Sequence, residues 1–145
     1  VARAEVVARA GPVDSVRLDL RPDDAWASVF LGEGFDPVDG ASRVRTLTRA
    51  AGSLFASIRE ADRVIAAGVL AFGHGWASIH GMRTAQSYRG RRLATRIMAA
   101  LAQAAIERGH ERLMLQVERE NDAAQSLYAR CGFDRAWTYT YWRRK

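Results

Sequence analysis

The spacing of apolar positions changes several times along the chain, and each change marks an expected element. The segments "ARAEVVA" (2–8) and "VRLDL" (16–20) have strand-type runs, separated by the turn "GPVD". A helix is expected from about Pro22, with Asp23 and Asp24 in its first turn and Gly32 and Gly34 near its end. A second is expected over 42–52, capped by Ser42 and stopped by Gly52. Three strand-type runs follow, 53–60, 63–73 and 76–85, joined by "ADR" and by a tight "GHG" hairpin, so an antiparallel meander is predicted. From Leu93 the period becomes helical, with Leu93, Ile97, Leu101 and Ala104 on one stripe and Gly109 ending the run. "RLMLQV" (112–117) alternates again, with Leu113, Leu115 and Val117 on one face. Asn121–Arg130 reads as a last helix closed by Gly132, and "FDRAWTYTYW" (133–142) as one or two aromatic strands. The resulting order predicts an α+β layout with helices against a mixed sheet.

Composition narrows the class. A chain of 145 residues fits one domain over 1–145 with a core that needs no staples, and its opening on Val1 leaves room for its being the C-terminal part of a longer chain. With Cys131 as the one cysteine, neither an internal disulfide nor a cysteine-based zinc site can be assembled, and a reducing cytoplasm is expected. His74, His80 and His110 have no ligand spacing, so no metal is expected. No apolar run is long enough to cross a bilayer, and the first residues lack a secretion-type apolar region.

The net charge of +6 is carried almost wholly by arginine, since Lys145 is the single lysine among 22 basic residues. The charge has a focus in "SYRGRRLATRIMAAL" (87–101), where four arginines surround the start of the predicted helix. A helix N-terminus already carries partial positive charge and unpartnered N–H groups, so cations gathered there point to a bound anion. Gly90 lets such a ligand approach the main chain closely, and Arg89, Arg91, Arg92 and Arg96 add mobile charge around it. A solvated helix face explains the charge alone equally well.

The second block, "LQVERENDAAQSLYARCGF", supplies Leu115, Val117, Asn121, Ala124, Leu127, Tyr128, Gly132 and Phe133. Together with "YRGRRLA" it resembles the GNAT superfamily of acyl-CoA-dependent N-acetyltransferases, from about Trp76 to Phe133. The resemblance implies a mixed, mainly antiparallel sheet flanked by helices on both faces, and acetyl-CoA as cosubstrate. It implies that the backbone of Met82, Arg83 and Thr84 pairs with the pantetheine arm. Arg89, Gly90, Arg91, Arg92, Leu93, Ala94 and Thr95 then fall on the pyrophosphate loop and the helix it opens. Asn121 corresponds to an asparagine that contacts the cofactor, and Tyr128 to a tyrosine near the thioester sulfur. Two positions depart from the pattern: Arg92 stands where glycine is expected, and Gln86 where proline is common. Arg92 either crowds the pyrophosphate, should its backbone need positive φ, or stays helical and swings its guanidinium onto a phosphate. The second reading is preferred, because the neighbouring arginines are useful only with an anion bound.

The implied chemistry is aminolysis of a thioester. Tyr128 is the candidate acid for the departing sulfur, its alternative being a core aromatic. His80, two residues before Met82 and expected on the same strand face, is the best-placed candidate base, its alternative being a packing residue. Glu118 and Glu120 offer a water relay. The function expected is acetyl transfer to a primary amine of a small molecule or protein; Glu33, Asp36 and Asp39 either attract a cationic amine or belong to a solvated loop. The alternative is a non-catalytic acyl-CoA sensor or the degenerate half of a tandem protein. Nucleic acid and membrane are not taken as partners, and a homodimer is left open.

Overall fold

The computed structural model describes residues 1–32 and 34–142. Its elements are β1 (Ala2–Arg3), α1 (Ala4–Ala8), β2 (Arg17–Asp19), α2 (Asp24–Ser28), α3 (Pro37–Leu47), β3 (Leu54–Glu60), β4 (Arg63–Gly73), β5 (Trp76–Thr84), α4 (Leu93–Glu107), β6 (Arg112–Leu115) and α5 (Asp122–Arg130). A single turn of 3₁₀-helix, Gln86–Tyr88, sits between β5 and α4.

The strands form a six-stranded sheet in the order β1-β6-β5-β4-β3-β2, antiparallel except for the β5–β6 pair. The expected β3–β4–β5 meander is its centre. Its first turn is Ala61–Asp62 and its second is His74–Gly75, where φ values of 52° and 78° give the twist that two-residue hairpins favour. Period-2 patterning divides the two faces. Leu54, Ala56, Ile58, Leu70 and Ile79 face α1 and α4, joined by Leu93, Ile97, Met98, Leu101, Cys131 and Phe133. Phe55, Val64, Ala67 and Val69 face α2, where Trp26 and Phe30 complete a second core. Trp26 lies 4.8 Å from Phe30 and 5.2 Å from Phe55 between ring centroids, and its indole N–H donates to the Ala56 carbonyl at 3.1 Å. Burying an indole this completely requires such a partner.

Five expectations are corrected. The "ARAEVVA" segment is a strand only at Ala2–Arg3 and then turns helical, because Ala4 and Val7, three residues apart, are both fully buried against α4. The first predicted helix begins with Asp23 as its cap, accepting from the Trp26 N–H, and is only five residues long. The second starts earlier than Ser42. Asp36 caps it by accepting from Val38 and Asp39, Pro37 opens it, and it ends at Leu47, before Gly52. Gly40 fits inside that helix because a Cβ there would lie 2.2 Å from the Phe30 carbonyl oxygen. Finally, 133–142 forms no strand, and Trp137, Tyr139, Tyr141 and Trp142 are exposed. The sixth strand is also shorter than predicted, leaving Val117 outside it. Among the described residues no helix is long and apolar enough to cross a membrane.

Candidate active site

The site is built by a failure of strand pairing. β5 and β6 run parallel and pair at Ala77–Leu113, Ser78–Met114 and Ile79–Leu115, and no further. Beyond Ile79, β5 continues to Thr84 against β4 alone. The Ala85 N–H donates to Ile65 on the β4 side at 2.8 Å. Alternation along the strand then turns the peptide groups of Thr84 the other way, into the gap. A cleft of about 350 Å³ occupies that gap, walled by Ile79, His80, Gly81, Met82 and Arg83 on one side and by Leu115–Glu118, Asn121 and Tyr128 on the other, with Arg43 of α3 at its edge.

A β-bulge decides which face each β5 residue serves. Ala67 pairs with Arg83 and Val69 with His80, so two residues on β5, Gly81 and Met82, oppose Gly68 alone. Gly81 takes φ +59, and a Cβ on it would meet Leu47 of α3 at 2.6 Å. His80 and Arg83 therefore face α3, as their partners Val69 and Ala67 face that core. Met82 faces α4, its sulfur lying over Gly68 beside Ile97. The expectation that His80 and Met82 share a face is thus wrong: the bulge inserts the extra residue between them.

Burial sets the titration of the two candidate proton carriers. His80 is half-buried, and desolvation pushes its pKa below the usual 6.5, so the ring is neutral at neutral pH. Its Nε2 lies 2.8 Å from the Ser78 hydroxyl on the same face, which orients the ring. Tyr128 is half-buried on α5 with its ring 6.1 Å from Phe133. Burial, and secondarily Cys131, raises its pKa above 10, so the phenol keeps its proton. Glu118 is exposed at the cleft rim, whereas Glu120 does not line the cleft. Asn121 lines it too, although its side-chain oxygen is engaged in capping α5, accepting from Ala124 at 3.1 Å.

The predicted anion site is at the start of α4. The first helical bond runs from Arg96 N to Arg92 O at 3.2 Å, leaving the N–H groups of Leu93, Ala94 and Thr95 ahead of the ladder. Gly90 has φ +80 and open space where a Cβ would be. Arg92, however, is not helical. It caps α4 with φ +58 and ψ +23, the left-handed conformation a glycine would adopt freely, and its side chain is exposed. The preference for a helical backbone at Arg92 is therefore overturned, while the exposed guanidinium stays clear of the core. Nor are the four arginines equivalent. Arg96 is tied to Ser15 and Asp14 in the loop before β2, and Arg91 stacks over Tyr88 at 4.9 Å. Arg89 and Arg92 are the exposed members that remain. Thr95 directs its side chain to Cys131 and toward Gly11, so its contribution to an anion is its N–H.

A family model described as the acetyltransferase (GNAT) family matches residues 22–133. The chain belongs to this family. One curated relative of this GNAT chain is the uncharacterized N-acetyltransferase YobR of Bacillus subtilis, 29% identical over 117 residues, which span 79% of the chain and 47% of the relative. Another is the mycothiol acetyltransferase of Corynebacterium aurimucosum, 34% identical over 67 residues, 46% of the chain and 22% of the relative. The chain thus spans less than half the length of either. Among solved structures, a putative acyl-CoA N-acyltransferase from Klebsiella pneumoniae superposes with a TM-score of 0.71 at 17% identity, covering 88% of both chains. The aminoglycoside N-acetyltransferase AAC(6')-Iy in complex with CoA superposes with a TM-score of 0.67 at 15% identity, covering 90% of this chain and 98% of the other. At these identities the likeness is one of fold.

Two residues of the 31–43 segment were not singled out from the sequence. Arg43 lines the cleft from α3 and Phe35 stacks on Arg83, both from segments whose register the sequence left undefined apart from the Asp36–Pro37 cap signal. Of the acidic residues expected to attract a cationic amine, Asp36 is committed to its helix cap, Asp39 is exposed in the first turn of α3, and Glu33 lies outside the described residues.

Proposed function

We propose that this GNAT chain transfers an acetyl group from acetyl-CoA to a primary amine by direct attack on the thioester. The observation that carries the reading is the gap between β5 and β6 beyond Ile79, lined by His80 and Tyr128. The residues present fit the cosubstrate. The free peptide edge of Met82 and Thr84 suits an amide-bearing arm, and the N–H groups of Leu93–Thr95, with Gly90, Arg89 and Arg92, suit a pyrophosphate. Bound there, acetyl-CoA would supply an electrophilic thioester carbonyl and a thiolate leaving group.

The chain's own residues account for the proton traffic. His80, neutral and oriented by Ser78, accepts the proton that an ammonium must lose before it can attack. Glu118 at the rim passes that proton to solvent. Tyr128, protonated throughout the physiological range, donates toward the sulfur as it departs. Unpaired N–H groups of β5 stabilise negative charge on the carbonyl oxygen, where preorganised donors act most strongly. A thiol-release assay with acetyl-CoA and a panel of amines tests the reading. Thiol release that depends on an amine supports it, while stabilisation by acetyl-CoA with no turnover on any amine refutes it.

A second reading, an acyl-CoA-binding protein without turnover, rests on Arg92. A non-glycine residue in a left-handed cap is a departure that loss of selection for turnover explains as well as cofactor binding does.

A further inference from the structure

We propose that the acceptor amine carries an anionic group, a carboxylate or phosphate, that docks between Arg83 of β5 and Arg43 of α3. The proposal rests on the acetyl-transfer reading and specifies its second substrate. It starts from the bulge, which turns Arg83 onto the α3 face of the sheet together with His80. Arg43 and Arg83 both line the cleft that His80 and Tyr128 line. The Arg83 guanidinium carbon sits 4.3 Å from the centre of the Phe35 ring, which covers one face of the ion and orders it. The edges of a guanidinium carry its donors, and stacking leaves them for a ligand.

Arg83 is short of partners. Its Nε is buried without a hydrogen bond, and among the described residues no carboxylate lies within 4 Å of its guanidinium or that of Arg43. The charges near it have the wrong sign: burial first, then Arg43 and Arg89, pull its pKa below that of a free guanidinium. A half-buried cation between two others is unfavourable unless an anion joins them. Among the described residues the one carboxylate lining the cleft, Glu118, stands on the opposite wall, beyond β6. The arrangement is therefore polarised, with cations on the β5–α3 wall and an anion on the other. It matches an acceptor with an anionic group at one end and an ammonium at the other, the ammonium falling toward His80 and Glu118. A purely cationic acceptor would meet Arg43 and Arg83 as it entered.

The test measures acetyl-CoA-dependent thiol release with matched amines: an α-amino acid against its amide, phosphoethanolamine against ethanolamine, and spermidine as a polycation. The kcat/KM of at least one anionic member should exceed that of its neutral counterpart by about tenfold or more. Which pair shows the larger ratio separates carboxylate from phosphate. Arg43→Gln, on the exposed surface of α3, should raise the KM of the preferred acceptor about fivefold or more while leaving acetyl-CoA affinity unchanged in calorimetry. Arg43→Glu should shift preference toward spermidine. Arg83→Gln serves as the second variant, with its thermal midpoint measured alongside. Equal use of the charged and neutral amines, or an unchanged acceptor KM in Arg43→Gln, overturns the proposal while leaving acetyl transfer intact. Weaker acetyl-CoA binding in Arg43→Gln at constant acceptor KM also overturns it, by assigning the arginines to the cosubstrate. Absence of turnover on every amine would instead strike the acetyl-transfer reading, and this inference would fall with it.

Discussion

Replacing Arg92 with glycine and, separately, with alanine isolates what this residue does at the mouth of α4. The backbone holds φ +58 and ψ +23, which costs a non-glycine residue about 1–2 kcal/mol relative to glycine. Glycine removes that strain but returns about 0.5–1 kcal/mol through the entropy of the unfolded chain. Arg92→Gly should therefore gain no more than about 1.5 kcal/mol, an upward shift in Tm of at most about 5 °C. Arg92→Ala keeps the strain and should gain nothing. Cofactor affinity should move the other way. Arg92 is exposed, so a contact between its guanidinium and a phosphate is screened, and a worth of about 1 kcal/mol corresponds to roughly a fivefold loss on removal. Calorimetric titration with acetyl-CoA at low and moderate salt reads this directly. Both variants should lose about fivefold at low salt, and the gap should narrow as salt rises. A glycine variant that binds acetyl-CoA more tightly than the parent would refute the reasoning and show that Arg92 obstructs its own site.

Three further outcomes are expected. Tyr128→Phe should lower kcat by about 100-fold while leaving the Kd for acetyl-CoA within about twofold, and a stopped-flow comparison on any accepted amine would check both. Because burial depresses the His80 pKa, kcat/KM should rise with pH through an apparent value below 6.5, and His80→Gln should remove that limb from the pH profile. Asp23 accepts from the Trp26 N–H and from Arg59 on both carboxylate oxygens, and these bonds hold its pKa below 3.8. A depressed carboxylate pKa gives stability that is fully present above the ordinary value and lost as pH falls through the folded one. Asp23→Ala should thus cost about 1–2 kcal/mol at neutral pH, a difference that persists down to about pH 4 and closes in thermal melts only as pH falls further, through the depressed folded value.

How far the sequence disclosed this protein depends on whether the deciding interaction is local. The meander and α4 were legible because apolar side chains alternate or recur over long runs, and their turns carry residues that accept positive φ. α5 was legible through its caps, Asn121 before it and Gly132 after it. The "ARAEVVA" segment was misread because two adjacent valines suit a strand, while the decisive spacing, Ala4 to Val7, becomes visible only against α4. α3 was misplaced because Gly40 reads as a helix breaker, and only its closeness to the Phe30 carbonyl shows why glycine is required there. The alternating aromatics of 133–142 promised a strand, and the sheet edge beside β6 is held instead by β1 at the start of the chain. In the candidate site, Tyr128, Asn121 and the Arg89–Ala94 loop were nominated by motif. The face of His80 was not, since one extra residue reverses every side chain beyond it and nothing in "HGMR" except Gly81 marks the insertion.

That insertion does more than correct an orientation. Without the bulge, strict alternation would put His80, Met82 and Thr84 on one face of β5 and leave Arg83 opposite them. With it, Met82 turns to the α4 side, where the exposed N–H groups of the helix lie, while His80 and Arg83 turn together to the α3 side. A single strand thereby addresses two compartments, one suited to a long phosphorylated cosubstrate and one suited to a small acceptor, with the gap toward β6 joining them. Gly81 is the residue that makes this possible, because its φ of +59 and its contact with Leu47 leave no room for a side chain. The same geometry turns Arg83 to a face where, among the described residues, no carboxylate lies within 4 Å of its guanidinium. On the proposal made above, the bulge turns Arg83 to the face where an anionic group of the acceptor would neutralise it.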